Sequence, residues 1–296
     1  MSELKHEFSW KLAARPARVF AALTDADELT QWFAEHAEVE LELGGAYRFW
    51  GKHTYGAPGR EEANGKITKF APSQALSYSW RMQDRDSEVR LTIEADPDNA
   101  EGCVLKGVHV FAEAPAISRA KEMVDDHWRI QWGNIAAHLA GGKGKLLPDY
   151  SDDNASINLS VFIDAPPSAV FRALIDPDKI QQWFGVPAEV DAREGGDWHL
   201  KMGEKSAPMK ITDYVENERF AVSWPDWRGD KSVPNQRVLW VLKPEGGGTR
   251  VAFVHDGFVR AVDISDYPFG WGYFLSRITD VARGKAPDPV PEEHQC

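Results

Sequence analysis

The sequence has little cysteine and no long hydrophobic run. Its two cysteines, Cys103 and Cys296, are too few for a disulfide framework or a cysteine-ligated zinc site. No segment approaches the ~18 consecutive apolar residues of a membrane helix, and the first residues lack the basic and apolar regions of a secretion signal. We therefore expect a cytoplasmic protein that does not associate with a membrane.

Positive charge is also scarce. The chain has 34 Lys and Arg against 46 Asp and Glu, which gives a net charge of −12. A polyanion gains its affinity from basic side chains that release counterions, and here these residues are few and dispersed. We expect no nucleic-acid partner.

The familiar motifs of catalysis and metal binding are missing. The sequence contains no HExxH, CxxC, GxGxxG, GxxxxGK[ST] or GxSxG. The polar group "DDHW" at Asp125–Trp128 lies in a predicted helix, where neighbouring positions diverge by about 100°. We therefore expect it to form a solvated face rather than a metal site. The sequence predicts no catalytic residue, no metal site and no cofactor.

Tryptophan, by contrast, is abundant, with 12 residues. Each buried indole removes about 150–250 Å² from water. The tryptophans must therefore dominate an interior, either as a packed core or as the wall of a pocket.

The chain carries one sequence segment twice. Val19–Phe33 and Val170–Phe184 share nine of fifteen residues, where chance would give about one. Further matches follow in the same order: Gly44-Gly45 with Gly195-Gly196, Trp80 with Trp224, and Trp132-Gly133 with Trp271-Gly272. This pattern indicates tandem duplication of a whole domain.

The composition between and after the copies predicts the domain boundaries. The segment between them mixes Gly, Pro, Asp and Ser without a period, as linkers do. The last residues are rich in proline and acidic side chains. We predict a first domain over 1–142, a linker over 143–154, a second domain over 155–286 and a tail over 287–296.

Each copy predicts the same elements: a strand, two short helices, a run of antiparallel strands and a long final helix. Asp176 and Pro177 are typical of an N-cap followed by proline at the first helical position. Ile180, Trp183 and Phe184 then share one helical face, which favours core packing over a place at a pocket mouth. We expect the same of the Trp-Phe pair in the first copy. The apolar face of the sheet needs a cover, and the long helix supplies it.

Several segments of the sequence resemble a known family. The run "APPSAVFRALIDPDKIQQWFG", the Gly-Gly turn, the "SW" strand end, "VAFVHDGF" and "GWGYFLSRI" resemble the activator-of-heat-shock-protein-ATPase-like family of the START-like (SRPBCC, Bet v 1-related) superfamily. The resemblance covers both halves of the chain. It implies an α+β fold of two tandem helix-grip domains, each a curved antiparallel sheet wrapped around a C-terminal helix over an apolar cavity. The first copy departs from the pattern with "GVHVFAEAP" in place of "FVHDGF".

The candidate ligand contacts are large side chains expected on the concave sheet face or on the covering helix, where they either line a cavity or fill it. They are Tyr78, Trp80, Leu91, His109, Trp128, Trp132, Trp198, Val222, Trp224, Trp240, His255, Trp271 and Phe274. His109 and His255 occupy equivalent places, and Asp256 falls on the opposite strand face from its neighbour. We therefore favour structural histidines bonded to the backbone over general bases.

Three functional hypotheses remain open. The first is a tandem binding module that encloses small hydrophobic or amphipathic ligands without catalysis. The second, which the resemblance implies, is regulation of a chaperone ATPase or another protein-interaction role. The third is a cyclase- or aromatase-like enzyme acting on a polyketide-like substrate, for which His255, Arg237 or Tyr273 would be the residues required.

Overall fold

The computed structural model describes residues 3–54, 59–116, 119–142, 148–151, 156–203, 207–226, 233–259, 261–264 and 266–288. The chain divides into two compact units, Met1–Asp152 and Asp153–Cys296, called here the first and second domains. Of the predicted linker, only 148–151 lie among the described residues, and of the predicted tail only 287–288. Cys296 lies outside them, and Cys103 is buried.

The first domain has the predicted order of elements. They are β1 (Leu4–Leu12), α1 (Pro16–Thr24), α2 (Ala26–Trp32), β2 (His36–Val39), β3 (Tyr47–Trp50), β4 (Ile67–Ala71), β5 (Ala75–Met82), β6 (Arg85–Asp96), β7 (Asn99–Phe111) and α3 (Ala120–Leu139). Five strands form an antiparallel sheet in the order β1-β7-β6-β5-β4, and β2 pairs with β3. The long helix α3 packs against β1, α1 and α2.

The second domain repeats this architecture. Its elements are β8 (Ile157–Ile163), α4 (Pro167–Ile175), α5 (Pro177–Phe184), β9 (Ala188–Val190), β10 (Asp197–Leu200), β11 (Met209–Val215), β12 (Arg219–Trp224), β13 (Gln236–Glu245), β14 (Gly248–Asp256), a 3-10 turn (Ala261–Ile264) and α6 (Tyr267–Ala282). Seven strands form one antiparallel sheet in the order β8-β14-β13-β12-β11-β10-β9. The predicted fold class, two tandem START-like α+β domains, is confirmed.

Local sequence explains how the short helices dock. The Asp176 side chain accepts hydrogen bonds from the backbone N–H groups of residues 178 and 179 and so caps α5. At the other end of that helix, the indole of Trp183 donates to the Ala173 carbonyl of α4 at 2.8 Å. In the first domain Trp32 donates to the Ala22 carbonyl at 3.0 Å. Both tryptophans, Ile180 and Phe33 are buried, so the predicted core role is confirmed for them, while Phe184 is half-buried.

At one position in each core, a phenylalanine ring comes from a different one of two neighbouring strands. In the first domain Phe8 of β1 lies opposite Gly107 of β7, and a Cβ on that glycine would come within 2.0 Å of the phenylalanine ring. In the second domain the same pair is Leu159 and Phe253. Phe8 contacts Trp128 of α3, and Phe253 contacts Trp271 of α6. One phenylalanine ring therefore fills the space beside the helix in each domain, but the first strand supplies it in the first domain and the last strand in the second.

Candidate ligand site between sheet and helix

A tryptophan on the covering helix is hydrogen-bonded to a histidine on the sheet in both domains. Trp128 Nε1 donates to His109 Nδ1 at 3.1 Å, and Trp271 Nε1 donates to His255 Nδ1 at 2.9 Å. An indole nitrogen is only a donor. Each Nδ1 is therefore unprotonated, and each imidazole carries its hydrogen on Nε2.

The second ring nitrogen of each histidine is also satisfied. His109 Nε2 donates to Ser87 Oγ at 2.8 Å, and that hydroxyl donates to the Trp80 carbonyl at 2.6 Å. His255 Nε2 donates to Gln236 Oε1 at 2.8 Å. Burial lowers the pKa of His255 to about 3 and holds the pKa of His109 well below its usual range. Both imidazoles are neutral, and their partners are side chains rather than the predicted backbone.

These hydrogen bonds correct the sequence alignment of the last helices. They make Trp128 the counterpart of Trp271, whereas the Trp-Gly dipeptides had matched Trp132 to Trp271. Trp132 lies four residues after Trp128, which is about one helical turn, so the dipeptide match is one turn out of register. The corrected register pairs three further positions: His127 with Gly270, Gln131 with Phe274, and Asn134 with Arg277.

The structure brings the predicted ligand contacts of the second domain together around one core, and in the first domain ring contacts join Trp80, His109 and Trp128. Those of the first domain are buried except for Trp132, and those of the second domain are buried except for Phe274; both exceptions are half-buried. Trp80 stacks on His109 with ring centroids 5.3 Å apart, and Trp224 meets Trp271 edge to face at 5.0 Å. A role in ligand contact stays a prediction for all of these residues.

Most polar atoms on these aromatic residues have partners inside the domain. Trp198 Nε1 donates to the Leu174 carbonyl at 3.0 Å, and Trp224 Nε1 donates to Tyr267 Oη at 3.2 Å. In the part of the chain that the structure describes, Trp240 Nε1 has no hydrogen-bond partner. The second domain therefore buries one lone indole donor.

The expected solvated face on α3 is wrong for two of its residues. Asp126 and His127 are each only 3% exposed, and only Asp125, paired with His6 at 2.6 Å, stays near solvent. The helix is covered on more than one side, by β1 and by α1 and α2, so fewer of its positions reach water. The ring of His127 lies 5.2 Å from that of Trp80.

Gln131 is the most unusual residue of this helix. Its side chain is 0% exposed, and neither Oε1 nor Nε2 has a hydrogen-bond partner among the described residues. Its counterpart Phe274 stacks on Phe184 with ring centroids 4.6 Å apart. Sequence reasoning missed Gln131, although an amide one turn after Trp128 on an apolar helix face was a visible signal.

The residues required for the enzyme hypothesis are each bonded to other groups. His255 is buried and bonded at both ring nitrogens, while Arg237 forms an exposed ion pair with Asp256. The hydroxyl of Tyr273 lies beside Arg277 at 3.3 Å. The residues that the structure describes hold no cluster of metal-ligating side chains, and they form no helix long and apolar enough to cross a membrane.

Comparison with known families identifies the chain's relatives. The family model "Activator of Hsp90 ATPase homolog 1-like protein" matches residues 13–140 and again 164–283. The chain belongs to this family. Its two matched segments confirm the tandem copies.

Solved structures resemble one half of the chain or all of it. The AHSA1-like protein of Rhizobium etli is 33% identical over 48% of this chain and 89% of its own, with a TM-score of 0.39. CalU16 from Micromonospora echinospora is 26% identical over 44% of this chain and 76% of its own, with a TM-score of 0.37. DynU16, from the dynemicin biosynthetic locus, is 17% identical over 97% of this chain and 96% of its own, with a TM-score of 0.40. A comparison with curated proteins finds no match.

Proposed function

We propose that this chain is a small-molecule binding module without catalysis of its own, and that its first domain encloses the ligand between the sheet and α3. The observation that carries the proposal is the fully buried Gln131 amide, which has no hydrogen-bond partner among the described residues. Burying such a group costs about 1–3 kcal/mol. Such a group in a native protein has a specific cause, and a bound ligand and a buried water bonded to the amide are two such causes.

The second domain is closed at the corresponding place. Phe274 stacks on Phe184, and the neighbouring Arg277 donates to the backbone carbonyls at the end of α5. Rings surround the lone donor of Trp240, with Phe220 and Phe253 at centroid distances of 5.8 and 5.6 Å. These contacts favour a structural role for the second domain rather than ligand binding.

Entry of a ligand into the first domain requires side chains to move. Gln131 is 0% exposed, and the rings of Phe33, Trp80 and Trp128 pack around the neighbouring His127. We therefore expect binding to be coupled to a displacement of α3 from the sheet.

Binding of 2-naphthol, a bicyclic aromatic alcohol, tests the proposal. At saturation we expect amide hydrogen exchange to slow in α3 and β5–β7 and to stay unchanged in α6 and β12–β14. A ligand at 100 times its Kd stabilises the domain it binds by about 2.7 kcal/mol. Gln131→Phe, which installs the residue of the second domain, is expected to abolish this protection.

The matched control is Gln131→Asn, which keeps a primary amide and is expected to retain most of the protection. Equal slowing of exchange in both domains would contradict the assignment to the first domain. No slowing in either domain with any aromatic probe would contradict the binding function.

One observation favours a second candidate function, the docking of a protein partner. Leu41 and Leu43 are 42% and 73% exposed on the loop between β2 and β3, where the second copy has Ala192 and Glu194. Exposed leucines are favourable anchors when a partner covers them. The family description suggests a chaperone ATPase as that partner.

For this candidate we expect the full chain to change the ATPase rate of an Hsp90 chaperone, and Leu43→Ser to remove most of the change. Leu43 contributes exposed apolar area only, so the variant should fold as well as the parent. The matched control is Met202→Ser, at an exposed apolar residue of the second domain. An unchanged ATPase rate with the parent chain would remove this candidate.

A further inference from the structure

The surroundings of Gln131 define what a ligand of the first domain would meet. The residue lies four positions after His127 and three after Trp128, so its side chain neighbours both of theirs on the surface of α3. His127 contacts Phe33 at a ring distance of 5.8 Å and Trp80 at 5.2 Å. The amide therefore projects from a helix face that packs on aromatic rings.

The hydrogen-bonding edge of the amide selects a complementary edge on the ligand. The Gln131 side chain presents an acceptor, Oε1, beside a donor, Nε2. A ketone or an ether would accept from Nε2 and leave Oε1 unpaired. A lactam or a cis amide presents N–H and C=O side by side, so it forms two parallel hydrogen bonds and satisfies both atoms.

The charge of the surroundings favours a neutral ligand. Burial lowers the pKa of His127 to about 3, so its imidazole is neutral at physiological pH. Burial also raises the pKa of Tyr78 well above its usual range. A carboxylate placed against these neutral groups would lose its hydration without meeting an opposite charge from them.

The rings favour a planar ligand body. Phe33, Trp80 and Trp128 lie around His127 with centroid distances between 5.2 and 5.8 Å. Flat aromatic molecules replace such ring contacts with stacked or edge-to-face contacts of similar energy.

From these observations, and resting on the binding function proposed above, we infer that the first domain binds a neutral, planar aromatic molecule whose lactam or amide edge pairs with Gln131.

The test compares two probes of the same outline, 2-quinolinone, which has the lactam edge, and naphthalene, which lacks it. Affinities for the full chain are measured by titration, with hydrogen exchange locating each probe. We expect 2-quinolinone to bind the first domain at least tenfold more tightly than naphthalene, because a site built to pair a polar edge rejects the analogue without it. Gln131→Leu is expected to remove this preference while naphthalene binds as before or better.

Two further measurements separate a failed fold from a failed inference. The free Gln131→Leu variant is expected to melt at the same temperature as the parent or higher, because the change removes two buried polar atoms that lack partners. Phe274→Leu, at the matching position of the second domain, is expected to leave the affinities of both probes unchanged.

Equal affinity for the two probes, or a preference that survives Gln131→Leu, would overturn the ligand class while leaving the binding function in place. Protection by 2-naphthol but not by 2-quinolinone would do the same. A buried water bonded to Gln131 in a crystal grown with saturating 2-quinolinone, with no probe present, would also overturn it. If none of the three probes protects the first domain, the binding function fails together with the ligand class.

Discussion

Replacing Arg277 with methionine is expected to lower the free energy of unfolding of the second domain by about 3–5 kcal/mol, because each of two hydrogen bonds from a charged group contributes about 1.5–3 kcal/mol. The guanidinium is 7% exposed. Its Nε donates to the Trp183 carbonyl and its Nη2 to the Gln182 carbonyl, both at 2.8 Å. These carbonyls lie in the last turn of α5, where helical backbone acceptors lack partners and the helix dipole favours a cation. Methionine fills much of the volume of the side chain but leaves both acceptors unpaired.

The measurement is urea unfolding of the full chain, with hydrogen exchange used to assign each transition to its domain. Arg250→Met is the matched control, because Arg250 forms an exposed pair with Glu245 and surface pairs contribute about 0–1 kcal/mol. Arg277→Lys keeps the charge but loses the fork of donors, so an intermediate loss is expected. A loss of the same size in the first domain, or a loss no larger than that of the control, would contradict this account of how α6 is held on α5.

Much of the fold could be predicted because its signals are local or repeated. Asp176 followed by Pro177 marks the start of α5 through capping chemistry alone. The spacing of Ile180 and Trp183 places both on the buried face of that helix. The duplication compares the chain with itself, so it made the domain organisation visible without any outside reference.

The polar interior could not be predicted, because its partners are distant in sequence. Trp128 and His109 are joined across the space between helix and sheet, and no spacing rule fixes which of the two tryptophans on α3 makes that bond. The dipeptide match chose Trp132, one turn away. The burial of His127 and Gln131 depends on the same register, so the dipeptide match also concealed that Gln131 stands where the second domain has Phe274.

Lowering the pH from 7.5 to 5 is expected to destabilise the first domain by about 4 kcal/mol and the second by about 2 kcal/mol. The first domain holds two histidines whose pKa values burial lowers, His109 and His127, and the second holds one, His255. In the unfolded chain each histidine takes up a proton near its ordinary pKa of 6.5. The folded protein excludes that proton until far lower pH, so each histidine costs about 2 kcal/mol of stability at pH 5.

The sign and the pH window follow from the direction of these shifts. Above pH 6.5 both states are neutral and the stability is complete; it is lost progressively as the pH falls towards the folded pKa, which is about 3 for His127 and His255. Hydrogen bonds from His6 and Lys121 outweigh the effect of burial and lower the pKa of Asp125, so that carboxylate weakens the fold only at still lower pH. Unfolding free energies measured between pH 7.5 and 5 therefore report mainly on the histidines.

The control for this pH dependence is His255→Gln, which keeps a hydrogen-bonding side chain opposite Trp271 but carries no titratable group. The variant is expected to be less stable than the parent at pH 7.5, yet the second domain should lose almost nothing further at pH 5, while the first domain responds as before. Because the domains differ by one buried histidine, their responses should differ by about 2 kcal/mol at pH 5. Equal losses in the two domains, or a loss in the second domain that survives His255→Gln, would show that groups other than the buried histidines set the acid sensitivity.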